Sequence, residues 1–431
     1  MPTVRLGEDD RVEMRHNKTL VFLTMGLGLA SIALVLLLVL SNFSEDFSPW
    51  SSKATDKNNI ISETSDSNEK QEIAKPATPQ PTPAPPQFVD AVWLGVGDIM
   101  SHSPQLPGSY NATEKKYNFD PFFEEVKPIL KQGDWVMANL ETPIAGKEYG
   151  YTGYPSFNAP LELAEALKNA GFNLFSTANN HSLDKGEKGL LRTLEHLKGL
   201  ELQAVGTASS QEEADALIIS EKNGIKMGLL SYTYGTNGIP IPEGKPYLVN
   251  LIDEEKIKKD ITRLKEGGAD LVTVALHFGA EYQTTPNEEQ KQLARALVAA
   301  GADIIAGSHP HVLQPYEVIE TLDAKGNKKS ALIIYSMGNF ISNQRGGSKD
   351  YGVIFKVNIR KNVTEGTINL TEVEAIPTWV HRYKPDKSYR YRILPIEETL
   401  AEANDKLLRA SDYETMKKDF EMLKTRLDSM K

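Results

Sequence analysis

The sequence predicts a layered α/β domain over residues 88–380, held off a membrane by one apolar span and a proline-rich stalk. Three observations lead there. From Phe88 onward, short apolar runs alternate with amphipathic stretches at helical spacing, the pattern of strands joined by crossover helices. Residues 20–40 are almost wholly apolar, enough to cross a hydrocarbon core of about 30 Å at roughly 1.5 Å per residue. Between the two, residues 44–87 mix Ser, Asp, Asn, Lys and Thr and finish in a run rich in Pro from Lys75 to Pro86.

Taken in order, residues 1–18 read as a cytoplasmic tail and 19–43 as a transmembrane helix. The other reading of such a run, a cleaved signal peptide, calls for an apolar region of about 7–15 residues and a small-x-small cleavage site. Here the run is longer and Ser41, Asn42 and Phe43 come after it. Arg5, Arg11, Arg15 and Lys18 precede the span while the next cation after it is Lys53, which puts the N-terminus inside and the main domain outside the cell. The stalk buries too little apolar surface to offset its ordering entropy, and its prolines favour an extended chain. A spacer and a ligand for a recognition module both fit that composition. The absence of cysteine excludes disulfides, thiolate metal sites and a lipidated Cys. A net charge of -10 gives no broad basic surface for nucleic acid, so an acidic substrate must be held by local cations.

Inside the domain, the residues at or just past the end of each apolar run carry the chemistry. The run 92–97 ends in Asp98, 135–139 leads to Glu141, 172–178 leads to Asn179, Asn180 and His181, 271–276 ends in His277, and 303–306 leads to His309 and His311. Helices over 161–170, 189–199, 253–266 and 287–300 supply the crossovers. Taken singly, Asp98 reads as a helix cap, Asn179-Asn180 as turn residues, His277 as a core histidine and Glu141 as a loop carboxylate. Their recurrence at five strand ends argues for a site, because ligands of open α/β sheets bind at that edge. Carboxylates, an amide oxygen and imidazoles suit Zn, Mn or Fe, and a bridging carboxylate suits two divalent ions. In extended backbone His309-Pro-His311 would turn both imidazoles to one side. Asn339, in the turn after the apolar run 332–335, is expected to line the cleft opposite the histidines as a candidate substrate contact, and Arg345 beyond it reads equally as the local cation or as a solvated loop residue.

Six ordered blocks carry a family resemblance: Gly97-Asp-Ile-Met100, Asn139-Leu-Glu141, Ala178-Asn-Asn-His-Ser-Leu-Asp-Lys-Gly186, His277-Phe-Gly-Ala-Glu-Tyr282, Gly301 to Gln314, and Ser336-Met-Gly-Asn-Phe-Ile341. Over about 89–378 the chain resembles the CapA or PgsA capsule-synthesis proteins, a branch of the calcineurin-like metallophosphatase superfamily. The resemblance implies a four-layer α/β/β/α sandwich and a role in making or anchoring poly-γ-glutamate at the cell surface. It implies metal ligation by Asp98, Glu141 (bridging), Asn180, His277, His309 and His311. His181 then looks like the general acid or phosphate-contacting histidine, Asp184 like the carboxylate that orients it, and Glu281 and Gln314 like substrate-facing residues.

Two positions depart from the superfamily pattern. Met100 stands where its Asp-x-His motif has the histidine, with His102 two positions on open to two readings, a substitute or a plain loop histidine, and Glu141 stands where its second motif has Asp. Two functions from different classes therefore stay open. One is a metal-dependent hydrolase or transferase acting on a phosphoester or amide bond. The other is a non-catalytic scaffold among the capsule synthase subunits, guiding an anionic polymer. Residues 353–359 and 370–376 read as an antiparallel hairpin at an edge of the second sheet, and 381–431 as a C-terminal helical extension packed on the domain.

Overall fold

The computed structural model describes residues 87–323 and 326–431; the expected tail, the apolar span and all but the last residue of the stalk lie outside the described residues. The first sheet has eight strands. Along it run β14 (Arg390–Pro395), β13 (Thr367–Tyr383), β12 (Tyr351–Asn362), β1 (Phe88–Ile99), β2 (Trp135–Leu140), β3 (Leu174–Ser176) and β4 (Gln203–Val205), with β11 (Asn339–Ile341) beside the end of β1. The second has six: β9 (Tyr316–Leu322), β10 (Lys328–Ile334), β8 (Ile304–Ser308), β7 (Leu271–His277), β6 (Ile225–Thr233) and β5 (Ile219–Lys222).

The period of two along these strands decides the layering. Trp93, Trp135 and Met137 join Met227, Leu271, Ala275, Ile304 and Leu332 in one apolar cluster between the sheets. Their neighbours Leu94, Val96, Val136 and Ala138 turn to the other face, where α1 (Leu161–Ala170) and α2 (Gly186–Gly199) cover them with Leu163, Leu167 and Leu197. On the second sheet, Val272, Val274 and Ile305 are covered by α3 (Glu254–Glu266) and α4 (Glu288–Ala299) through Ile257, Ile261, Leu264 and Leu297. The order of layers is therefore helix, sheet, sheet, helix. Strands buried on both faces read as unbroken apolar runs, which is why they stand out in the sequence.

Two segments differ from expectation. The hairpin of β12 and β13 is antiparallel, but it lies inside the first sheet, with β1 on one side and β14 on the other. A boundary at 380/381 thus falls within paired strands, since Arg390–Pro395 extends the same sheet. After α5 (Ile396–Glu402), helix α6 (Ala410–Asp428) sets Met416, Phe420, Leu423 and Leu427 into the core between the sheets, and the Tyr351 hydroxyl donates to Asp419. Among the described residues no helix is long and apolar enough to cross a membrane.

One buried ionic knot ties the second sheet together. Asp303 receives Lys329 at 2.5 Å, Lys265 at 2.7 Å and the Val272 amide at 2.7 Å. Asp303→Ala leaves Lys329 buried without a counter-charge, and chemical denaturation should show a loss of about 3–5 kcal/mol. A loss below about 1 kcal/mol would mean that water replaces the carboxylate.

Candidate metal centre

Strand register builds the centre from two facing rungs. In the first sheet Asp98 lies beside Asn139 on one side and Asn339 on the other. In the second, His277 lies between Thr233 and Ser308. Both rungs need close backbone approach. A Cβ at Gly97 would sit 1.9 Å from the Gly338 carbonyl oxygen, and one at Gly307 would sit 2.1 Å from that of Tyr335. Glycine is thus imposed next to the ligand-bearing positions.

Asp98 Oδ2 lies 2.9 Å from His311 Nδ1, and His311 Nε2 lies 3.5 Å from Glu141 Oε1. His277 Nε2 lies 3.0 Å from Asn180 Oδ1 and 3.8 Å from Glu141 Oε1. Three groups of potential ligands have their atoms within 4.8 Å of one another: Glu141, His277 and His309; Asp98, Glu141 and His311; and Glu281, His309 and His311. Glu141 belongs to two groups and joins the two sheets.

These residues fit a divalent cation. Asp98 and Glu141 are both 0% exposed, and among the described residues neither is paired with Lys or Arg. Glu141 Oε1 and His309 Nδ1 are buried with no hydrogen-bond partner. Two buried carboxylates and an orphaned imidazole nitrogen are costly without a cation between them. Burial, and then the charge of Asp98, pushes the Glu141 carboxyl well above its usual range. Burial, and then the neighbouring imidazoles, pulls His277 well down and His309 down to about 4. At neutral pH both imidazoles therefore offer lone pairs to a cation, and a cation beside Glu141 would offset the burial and the Asp98 charge that disfavour its ionised form.

His309 and His311 have φ of +97° and +58°, so the turn around Pro310 is left-handed and not the extended segment expected. The chain reverses sharply after β8, and the two rings still come within 6.0 Å of each other. Non-glycine residues held there store strain, a mark of functional turns. Beside this cluster His181 Nδ1 meets Asp184 Oδ2 at 2.8 Å. The same oxygen accepts the Phe157 amide at 2.7 Å, and the Phe157 ring packs edge-on to His181 at 4.7 Å.

Other expected site residues are placed differently. Gln314 is buried, accepts from Gln290 Nε2 and donates to the Gln283 carbonyl, so it braces loops and presents nothing to a substrate. Arg345 donates to the Val380 carbonyl and lies over the Tyr391 ring; burial lowers its guanidinium to about 10. Its contacts are with the sheet end, not the ligand cluster. Asn339 is buried against His311, its Oδ1 3.2 Å from Nδ1. His102 belongs to none of the ligand groups and accepts from the Asn343 amide; Met100 is buried beside it in sequence. Glu281 remains exposed at the edge of its group.

Sequence reasoning overlooks Asn139, Ser308 and Tyr234. Asn139 Nδ2 donates at 2.9 Å to both Asp98 and Glu141, and Ser308 Oγ meets His277 Nδ1 at 3.0 Å. Tyr234 lies tilted against His309, ring centroids 4.6 Å apart, just past the end of β6, a strand whose Ile225, Met227, Leu229 alternation is a sufficient signal.

The family described as bacterial capsule synthesis protein PGA_cap matches residues 93–344. Over 277 residues, 62% of this chain and 64% of the other, the sequence is 32% identical to the capsule biosynthesis protein CapA of Bacillus anthracis. The alignment thus spans just under two thirds of that relative. Over 285 residues, 65% and 70% of the two chains, it is 33% identical to the PGA biosynthesis protein CapA of Bacillus subtilis. Among solved structures, the calcineurin-like phosphoesterase YfkN from Bacillus subtilis covers 78% of this chain and 99% of its own, with TM-score 0.41 and 16% identity.

Proposed function

The chain belongs to the bacterial capsule synthesis protein family, and on that premise we propose that it serves the synthesis or export of an anionic capsule polymer, poly-γ-glutamate, through a metal-dependent site on an extracytoplasmic domain. The observation that carries the metal-dependent site is the meeting of Asp98, Glu141, Asn180, His277, His309 and His311, with Glu141 Oε1 and His309 Nδ1 orphaned among them. The polymer is supported by the naming of the Bacillus subtilis relative for PGA biosynthesis. Residues 19–43 would anchor the chain as a single span, N-terminus inside, next to the other synthase subunits.

One or two divalent ions held by these six residues would acidify a water and polarise the oxygen of the bond attacked. The chain's own groups do the rest. Asn139 bridges the two carboxylates and fixes their orientation, while Ser308 caps Nδ1 of His277 and turns Nε2 toward Asn180. Asp184 holds Nδ1 of His181, which leaves Nε2 free to pass a proton to a departing group.

The full chain, purified in detergent and loaded with manganese or zinc, should retain one or two equivalents by elemental mass spectrometry, as two-metal sites do. It should then turn over a phosphodiester chromogen or a γ-glutamyl oligomer. A folded protein that binds no metal after loading would overturn the metal-dependent site. Met100, buried where the superfamily pattern has histidine, favours a second reading, a scaffold subunit. That outcome would show metal bound and no turnover of either substrate.

A further inference from the structure

Three groups at the mouth of the metal centre, Tyr234, Tyr282 and Lys349, are not among its six expected ligands. Tyr234 is 50% exposed and Tyr282 is 47% exposed, and the Lys349 ammonium lies 4.8 Å from the centroid of the Tyr282 ring. Each is tied through its backbone to a ligand or a ligand's support. The Tyr234 amide donates to the His277 carbonyl at 3.0 Å, and that of Tyr282 to the Pro310 carbonyl at 2.7 Å. The Lys349 carbonyl accepts from Asn339 Nδ2 at 2.7 Å, while the Oδ1 of that same Asn339 lies 3.2 Å from His311 Nδ1.

The two phenol rings flank the histidine pair, Tyr234 at 4.6 Å from His309 and Tyr282 at 6.1 Å from His311. Among the described residues no carboxylate pairs with Lys349, and its ammonium rests over the Tyr282 ring. Gly346, Gly347 and Ser348 all take left-handed backbone, and a run that includes a serine in that region holds the lysine in a defined turn. Glu281, the carboxylate nearest this mouth, groups with His309 and His311, where a bound cation would neutralise it.

We propose that Lys349, Tyr234 and Tyr282 form a subsite that seats an anionic, amide-linked chain across the metal centre. The ammonium takes a pendant carboxylate, and the exposed rings pack on the planar amides on either side. This rests on the function proposed above and adds the residues that select its substrate.

The test is calorimetric binding to the metal-loaded full chain, with metal content measured for every variant. The probes are a γ-linked glutamate decamer, the neutral γ-linked glutamine decamer and a glycerol-phosphate oligomer. Lys349→Met should weaken glutamate binding about tenfold and flatten its salt dependence, with metal content unchanged. Tyr234→Leu and Tyr282→Leu should each weaken it severalfold, and the Phe variants should keep most of the affinity. Variants that bind like the wild type, a glutamine decamer that binds as tightly as glutamate, or a wild type that binds none of the three would each overturn the subsite. If only the glycerol-phosphate oligomer binds, and does so through Lys349, the subsite stands as an anion site and the polyglutamate assignment falls.

Discussion

Glu141→Gln should yield a folded protein that has lost its metal and its activity together. Glu141 is the one residue shared by the two ligand groups that span both sheets, so its loss weakens each of them. Removing even a residue that only supports a metal ligand costs about 10–100-fold in affinity, so loss of the shared carboxylate should exceed about a hundredfold. The fold should not suffer. Gln is the same size, and its oxygen can still accept from Asn139 Nδ2, now 2.9 Å from the carboxylate. Stripped of metal, the variant should be the more stable of the two, with a defined pH dependence. The Glu141 carboxyl is raised above its ordinary 4.5 in the folded state, so whatever stability it contributes is full below that pH and is lost as the pH rises toward the folded value. The advantage of Gln over Glu in denaturant midpoint should therefore be near zero at pH 4 and grow toward pH 7. A variant that keeps its metal, or that unfolds, would show that Glu141 is a structural acid.

His181→Gln should separate chemistry from metal binding. His181 stands in none of the ligand groups and is held by Asp184 and the Phe157 ring, so metal content should stay at the wild-type level. A positioned proton donor contributes about 10²–10⁴ in rate, and kcat should fall by that factor with little change in KM. Asp184→Asn should give a milder loss in kcat and keep the Phe157 amide bond. Unchanged turnover in His181→Gln would remove the histidine from the mechanism and turn attention to the scaffold role.

Much of this site is legible in the sequence because parallel strands buried on both faces announce their ends. Asp98, Glu141 and His277 each close an apolar run, and strand ends of one sheet lie side by side whatever the distance between them in the chain. What periodicity cannot show is how a turn is shaped or what a distant segment adds. The reversal at His309 and His311 depends on left-handed backbone that residue type does not encode, and only packing reveals that Gln314 points to Gln290. Arg345 reads as a free cation in the sequence because its carbonyl partner, Val380, lies 35 residues further on, in the strand Thr367–Tyr383. The strand Arg390–Pro395 is hidden by its arginines, one of which, Arg392, is buried in a two-pronged pair with Asp405. The same limit hides Asn139, whose value lies in the two carboxylates it joins.

The position of the first strand has a consequence for how the molecule is made. Phe88–Ile99 lies in the middle of its sheet, and its antiparallel partner is Tyr351–Asn362; Asp90 and Arg360, which pair across them, are 270 residues apart. A chain emerging from its N-terminus therefore cannot close this sheet as it appears. The strand that founds the domain must wait for a partner near the far end, and helix Ala410–Asp428, which fills the space between the sheets, arrives later still. Contacts of such long sequence separation make folding slow and leave apolar surface uncovered in the meantime. A chain cut short before residue 351 therefore lacks the strand that pairs antiparallel with Phe88–Ile99 and joins it to the antiparallel side of its sheet.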